Sequence, residues 1–324
     1  MLLYVTLSLW IISALFILFE KRNVRIIIYS GVFGLIASIA FLLLGSPDVA
    51  MAEAAISVFT TIFFVVCLEK YYGFEADVHE MESEPVKVNY LTRYGLPLVF
   101  TVFLAGLFIY FIPDNVVNPY LKNLYLSRFA GDVGGFNPVT AIYLSYRVYD
   151  TLFEALILVI AVVAAIHMSK FSDDYIKDGK HSEMENDSLA NLAIRIISLV
   201  ILLFGIFIIF NGHISAGGGF QGGLIIAAFF VARYMIYDVY DIPIAKVTRA
   251  EEMVFVAIAV LAAVIVFQGL FDIGASPLYQ HIYLIVMNSL IGMKVACGFI
   301  LLFYRFIAIE RNDIDRSNIG KSDF

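Results

Sequence analysis

The chain has 324 residues and a net charge of −7; 61% of its residues are hydrophobic and only 15% are charged, with a mean hydropathy of +0.88. Soluble domains run nearer to about 45–50% apolar and about 25% charged, so this composition excludes an ordinary water-soluble globule and fits lipid as the solvent. The acidic balance disfavours nucleic acid. The two cysteines, Cys67 and Cys297, both fall inside apolar runs and are too few for a thiolate metal centre or an iron–sulfur cluster. We therefore expect no cofactor, no metal and no redox chemistry by the chain itself.

Taken in chain order, nine apolar runs are long enough for a bilayer-spanning helix of about 20 residues: 2–19, 26–44, 51–71, 94–112, 151–168, 192–210, 224–240, 253–271 and 282–306. The first lacks a basic leader and a small-residue cleavage site, so it reads as a retained membrane helix rather than a signal peptide. Buried backbone must satisfy itself in lipid, and the runs are too long and uniform for barrel strands, so the fold class is all-α and polytopic. Of the 21 Lys and Arg residues, seventeen fall on one set of alternating segments and three (Lys122, Arg128 and Arg147) on the other, while Lys294 lies within the last run. The positive-inside rule then gives nine spans with the N-terminus outside and the C-terminus inside.

Two polar stretches, 73–92 and 170–191, read as solvated linkers and group the helices three, two and four. The units are 1–72, 90–170 and 189–306, followed by a cytoplasmic tail at 307–324. The segment 113–150 mixes aromatic and apolar residues with Gly131, Gly134, Gly135 and Pro138. It reads as an interfacial or re-entrant piece.

Four constellations stand out. In the first, Pro47 breaks the second helix, Asp48 is placed to cap the third, and Glu53 follows one turn inside. A cap plus a first-turn acid favoured by the helix dipole is the structural explanation; a carboxylate facing a cavity and handling a cation or proton is the functional one. In the second, Asn137, Pro138 and Thr140 precede Arg147, Asp150, Thr151 and Glu154. Asp150 and Glu154 share a helix face, and Arg147 is placed to neutralise one of them. The pairing explains Asp150 as a surface ion pair, whereas Glu154, flanked by Phe153 and Ala155, points to function. The third runs from Asn211 through His213 to Gly217, Gly218, Gly219, Gln221, Gly222 and Gly223. No Lys-Ser/Thr follows these glycines, so a nucleotide loop is excluded. They instead let the seventh helix start tightly against its neighbours. His213 is a structural hydrogen-bonder or a proton relay. The fourth is Lys294, mid-way along the ninth run and too far from its ends to snorkel. It must meet protein, a carboxylate or water, and a pair with an acid on a neighbouring subunit is the structural alternative to a role in transport. Glu20, His167 and Asp272 sit at helix ends and read as interface residues.

These motifs carry a resemblance. Residues 1–72, with Asp48 and Glu53 in Gly-Ser-Pro-Asp-Val-Ala-Met-Ala-Glu, resemble the D-type small subunit of energy-converting membrane-bound hydrogenases and the corresponding C-terminal part of the large Mrp antiporter subunit. Residues 90–170, with the Asn137-Pro138 pair and Arg147 to Glu154, resemble the E-type subunit. Residues 189–306, with Gly212, His213 and the glycines to Gly223, are similar to the MnhB/MrpB subunit of multisubunit Na+/H+ antiporters. The chain departs from that pattern in fusing the three pieces and in placing Ala216 where a proline commonly precedes the glycines. The resemblance implies an accessory subunit of a Mrp-type module in the cytoplasmic membrane, standing alone or attached to a hydrogenase or sulfane-reductase arm related to respiratory complex I. It implies other antiporter subunits, Na+ or H+, and lipid as partners, and Asp48, Glu53, Asp150, Glu154, Lys294 and His213 as candidates for ion handling.

Overall fold

The computed structural model describes residues 1–79, 95–110, 119–168, 188–237, 243–267 and 277–308. Asp272, the tail beyond 308 and most of the two polar linkers lie outside them. Every regular element is helical among the described residues: α1 (Leu2–Phe19), α2 (Asn23–Leu43), α3 (Pro47–His79), α4 (Leu96–Tyr110), α5 (Tyr120–Val133), α6 (Pro138–Ala141), a π-helical turn (Ile142–Tyr146), α7 (Val148–Met168), α8 (Ser188–Asn211), α9 (Gly219–Tyr237), α10 (Ile244–Phe267) and α11 (Pro277–Ala308). Six of these are long and apolar enough to cross a membrane on length and composition, namely α1, α2, α7 and stretches of α3, α8 and α11. Each of the nine apolar runs seen in the sequence corresponds to one helix, and α5 and α6 occupy the segment read as interfacial.

Several helix boundaries differ from the sequence reading. α3 continues to His79, because no proline interrupts 72–79 and the lone Gly73 is not enough to end a helix. α9 starts at Gly219 rather than 224, and α10 starts at Ile244, directly after Pro243, rather than at 253. The last shift matters, since it moves Glu251 from a loop to the inside of a helix.

α2 and α3 form the tightest pair of the N-terminal unit. Gly31 faces Thr61 and Gly34 faces Ser57 so closely that a Cβ on either glycine would collide. The Ser38 hydroxyl donates to the Ala50 carbonyl at 2.6 Å across the same seam. Small residues let helices approach in lipid, where no hydrophobic drive holds them together. α3 then packs on α9, α9 lies between α8 and α11, and α7 and α10 close on α11. Phe59 and Phe63 of α3 meet Phe299 and Phe303 of α11 at ring separations of 5.1 and 5.8 Å.

The core therefore sits on α11. Leu284, Met287, Leu301, Phe303 and Ile307 are all buried there, with Leu224 and Val231 of α9 and Ile258 of α10 against them. α4 differs, because no described helix packs extensively on it and its apolar side chains are exposed. Among the described residues α4 makes no extensive contact with α7, which packs on α10 and α11.

Candidate functional site: a polar junction and a buried ion pair

The start of α6 brings the three sequence motifs to one point. Asn137 is the N-cap of α6 and its Oδ1 accepts from the Val139 N–H at 2.9 Å, with Pro138 in the first turn where a missing N–H costs nothing. Its amide nitrogen Nδ2 donates to Asp48 Oδ1 at 2.9 Å and to the carbonyls of Ser215 at 3.0 Å and Gly212 at 3.3 Å. Asp48 Oδ1 also accepts the Gly217 N–H at 3.1 Å. The expectation that Asp48 caps α3 is thus replaced. α3 opens at Pro47, and the Asp48 carboxylate reaches across to α6 and the glycine loop instead.

The loop at 212–218 is held from both sides. The Thr140 hydroxyl donates to the Gly212 carbonyl at 2.6 Å, and the His213 carbonyl accepts the N–H groups of Phe136 and Asn137 at 2.9 and 3.1 Å. Gly217 has φ +134°, a conformation L side chains rarely adopt, and a Cβ on Gly218 would run into the Tyr143 hydroxyl. Gly219, Gly222 and Gly223 do the packing. A Cβ on Gly219 would lie 2.5 Å from the Asn288 carbonyl of α11, one on Gly222 would lie 2.7 Å from the Gly205 carbonyl of α8, and one on Gly223 would strike the Gly292 carbonyl of α11.

Asn288 ties this loop to α11. Its Oδ1 accepts the Gly219 N–H at 3.1 Å and the Tyr143 hydroxyl at 2.9 Å, and its Nδ2 is buried with no hydrogen-bond partner among the described residues. Tyr143 lies in the π-helical turn. The Thr151 hydroxyl takes up the Tyr143 carbonyl at 2.6 Å, and the Tyr283 hydroxyl takes up that of Leu144. A π turn widens the backbone and leaves carbonyls free, and such turns recur at functional sites.

His213 is only 6% exposed. Its ring lies edge to face against His281 with centroids 5.7 Å apart. Burial, and secondarily the neighbouring His281, hold its pKa below the usual histidine range, so the neutral form is favoured.

The second feature lies deeper. Lys294 and Glu251 form an ion pair between α11 and α10, with side-chain exposures of 0% and 3%. The ammonium also lies 5.6 Å from the centre of the Phe255 ring, within cation–π range. The acid anticipated on a neighbouring subunit is therefore supplied by this chain. Glu251 escaped the sequence reading because the helix was taken to start two residues after it; Pro243 was the signal for an earlier start.

The remaining candidates separate. Glu53 lies in the α2–α3 seam, where Ser57 donates to its Oε1 at 3.2 Å and Gly34 leaves room for it. Arg147 pairs with Asp150, both exposed. Glu154 is exposed one turn further along α7, with no ion pair or hydrogen bond among the described residues. Glu20 accepts the N–H groups of Lys21 and Arg22, which hold its carboxyl below the ordinary carboxylate range, and pairs with Arg25 at 3.6 Å. The exposed His167 ring is 2.9 Å from the Val163 carbonyl. No group of three or more His, Cys, Asp or Glu side chains is placed to hold a metal among the described residues.

Comparison with known proteins fits this arrangement. Residues 189–310 match the family described as "Domain related to MnhB subunit of Na+/H+ antiporter", and residues 8–72 match the MbhD family, the D-type subunit of MBH. Among curated proteins, antiporter subunit mnhA2 of Staphylococcus aureus is 26% identical over 163 residues, which is 50% of this chain but 19% of that protein. An uncharacterised protein of Methanocaldococcus jannaschii is 31% identical over 151 residues, 42% of this chain and 56% of that one. The chain thus spans about a fifth of the length of the staphylococcal relative. Among solved structures, a chain of the Mrp complex from Dietzia sp. DQ12-45-1b superposes on 96% of this chain with TM-score 0.73 and 18% identity, using 35% of its own length. A chain of the membrane-bound sulfane sulfur reductase, an archaeal respiratory membrane complex, superposes on 68% of this chain with TM-score 0.54 and 23% identity, over 99% of its own length. These likenesses share the fold. The apolar helices mark a multi-pass membrane protein, and the two family matches give it an MbhD-like unit near its N-terminus and an MnhB-like unit towards its C-terminus.

Proposed function

We propose that the chain is an accessory subunit of a Mrp-type cation/proton antiporter module, and that its MnhB-like helices contribute to Na+/H+ translocation. The observation that carries this is the Glu251–Lys294 pair. Ionisable groups inside membrane helices are expensive and mark ion pathways or proton relays, and this pair is buried in the domain that matches an antiporter subunit. The chain crosses the cytoplasmic membrane nine times with its N-terminus outside, as its Lys and Arg distribution favours. Residues 90–170 serve as the E-type unit. Its partners are other antiporter subunits, and in a complex I-related assembly a hydrogenase- or sulfane-reductase-type arm that performs the redox chemistry this chain does not. Glu53 and Glu154 are further candidates for ion handling.

A structural role is favoured at one place. The Asp48 carboxylate is already satisfied by Asn137 and Gly217, so it acts as a clasp joining the MbhD-like unit to the other two.

The test removes both charges together, since a single neutral substitution would strand the other charge. The assembled complex carrying Glu251→Gln with Lys294→Met is reconstituted in vesicles and its Na+/H+ exchange measured per complex. Loss of exchange with intact assembly supports a role in translocation; unchanged exchange makes the chain a packing subunit.

A further inference from the structure

α7 carries a carboxylate on the wrong side of the molecule. Glu154 lies six residues into the helix, about 9 Å from its start at 1.5 Å per residue, and α7 has the length and composition of a membrane span. Its buried face, Val148, Thr151, Ala155 and Val162, is the one turned into the protein. Glu154 is exposed on the outer face, beside Phe153 and Ile157 at 63% and 68% exposure. Lipid does not satisfy it, and no ion pair or hydrogen bond does so among the described residues, whereas the neighbouring Asp150 has Arg147.

The residues in line with Glu154 identify what covers it. Steps of three and four along α7 run from Asp150 through Glu154, Ile157 and Ala161 to Ala164, and all five are exposed. The two alanines are separated from Glu154 by about 10–15 Å along the axis. They form a shallow stretch that admits the backbone of a second helix closely, while the carboxylate above it fixes the partner's register by charge. A lipid chain would gain from the alanines but leaves the carboxylate uncompensated. A helix without a cation does the same.

We propose that the Asp150–Ala164 stripe of α7 is the docking face for a transmembrane helix of another subunit, which sets a Lys or Arg side chain opposite Glu154. The inference rests on the reading of the chain as a subunit of a larger membrane assembly and names the chemistry of one partner.

The test places the photo-crosslinker p-benzoylphenylalanine at Ala161 in the otherwise unchanged chain, within the assembled complex in its membrane, and maps the cross-linked peptide. The expected adduct joins a membrane-spanning segment of a different subunit with a Lys or Arg within two turns of the cross-link, on its Glu154 side. Glu154→Lys reduces that adduct at least tenfold, and Glu154→Gln reduces it less. If Glu154→Lys prevents accumulation of the complex, Ala164→Trp, which blocks the stripe without touching charge, gives the same loss. An adduct to lipid, to a second copy of this chain or to a helix without a basic residue overturns the proposal, as does an adduct indifferent to both substitutions. The two readings fail separately: docking is read from the identity of the Ala161 adduct and its loss in Ala164→Trp, whereas the role in translocation is read from Na+/H+ exchange in the Glu251 and Lys294 variants.

Discussion

Asp48 and Glu251 are both carboxylates withdrawn from solvent, at 8% and 2% exposure, and the protein satisfies them by different means. Asp48 sits where α3, α6 and the glycine loop meet and is held by an uncharged side-chain amide and a backbone N–H. Glu251 sits between α10 and α11 and is neutralised by the Lys294 ammonium, which also lies over the Phe255 ring. Fixed dipoles stabilise an ionised carboxylate and hold its neighbours in one geometry. An opposite charge in a low-dielectric site stabilises it too, but the pair can exchange a proton or trade partners. The first arrangement suits a joint and the second suits transport.

The largest effect expected from breaking this contrast is at Lys294. Lys294→Met alone leaves Glu251 buried and unpaired, at a cost of about 3–5 kcal/mol. Thermal melting of the purified complex should show a large drop, and adding Glu251→Gln should recover most of it. Next comes the glycine packing that holds the joint against α11. Gly223→Ala pushes a Cβ into the Gly292 carbonyl and should cost about 1–3 kcal/mol, whereas Gly106→Ala in α4, where nothing lies within 4 Å, should be neutral or slightly stabilising. Equal melting temperatures for these two variants would contradict the packing described.

At the joint itself, Asp48→Ala strands the Gly217 N–H, while Asn137 keeps the carbonyls of Gly212 and Ser215. About 1–3 kcal/mol is the cost of one such buried orphan, and Asp48→Asn, which retains an acceptor, should cost less. The smallest effect is one of pH. Because the folded state holds His213 below its ordinary value of about 6.5, its contribution is complete above that value and is lost as the pH falls through it towards the lower folded pKa. Melting between pH 7.5 and 5.5 should show a decline that His213→Asn reduces; an unchanged slope would remove His213 from the account.

Much of this was legible from residues alone. The nine apolar runs located every long helix, and the charge-poor stretch around Lys294 marked the ion pair's basic partner. What stayed hidden was tertiary. Glu251 looked like loop because the unbroken apolar run begins only at Met253, although a helix needs no such run in its first two turns. Asp48 looked like a cap because capping is local, whereas its partners lie 89 and 169 residues further along the chain. The separation of α4 from α7 was equally out of reach, since two apolar helices in one stretch of sequence carry no record of which neighbour each prefers.

The most direct test crosses the two acids in one assay of Na+/H+ exchange, with complex abundance measured in the same vesicles. The account predicts that Asp48→Asn lowers the amount of assembled complex while each assembled complex exchanges at the normal rate, and that Glu251→Gln with Lys294→Met leaves abundance near normal while exchange per complex is lost. Normal exchange in the double variant, or loss of exchange per complex in Asp48→Asn, would contradict it.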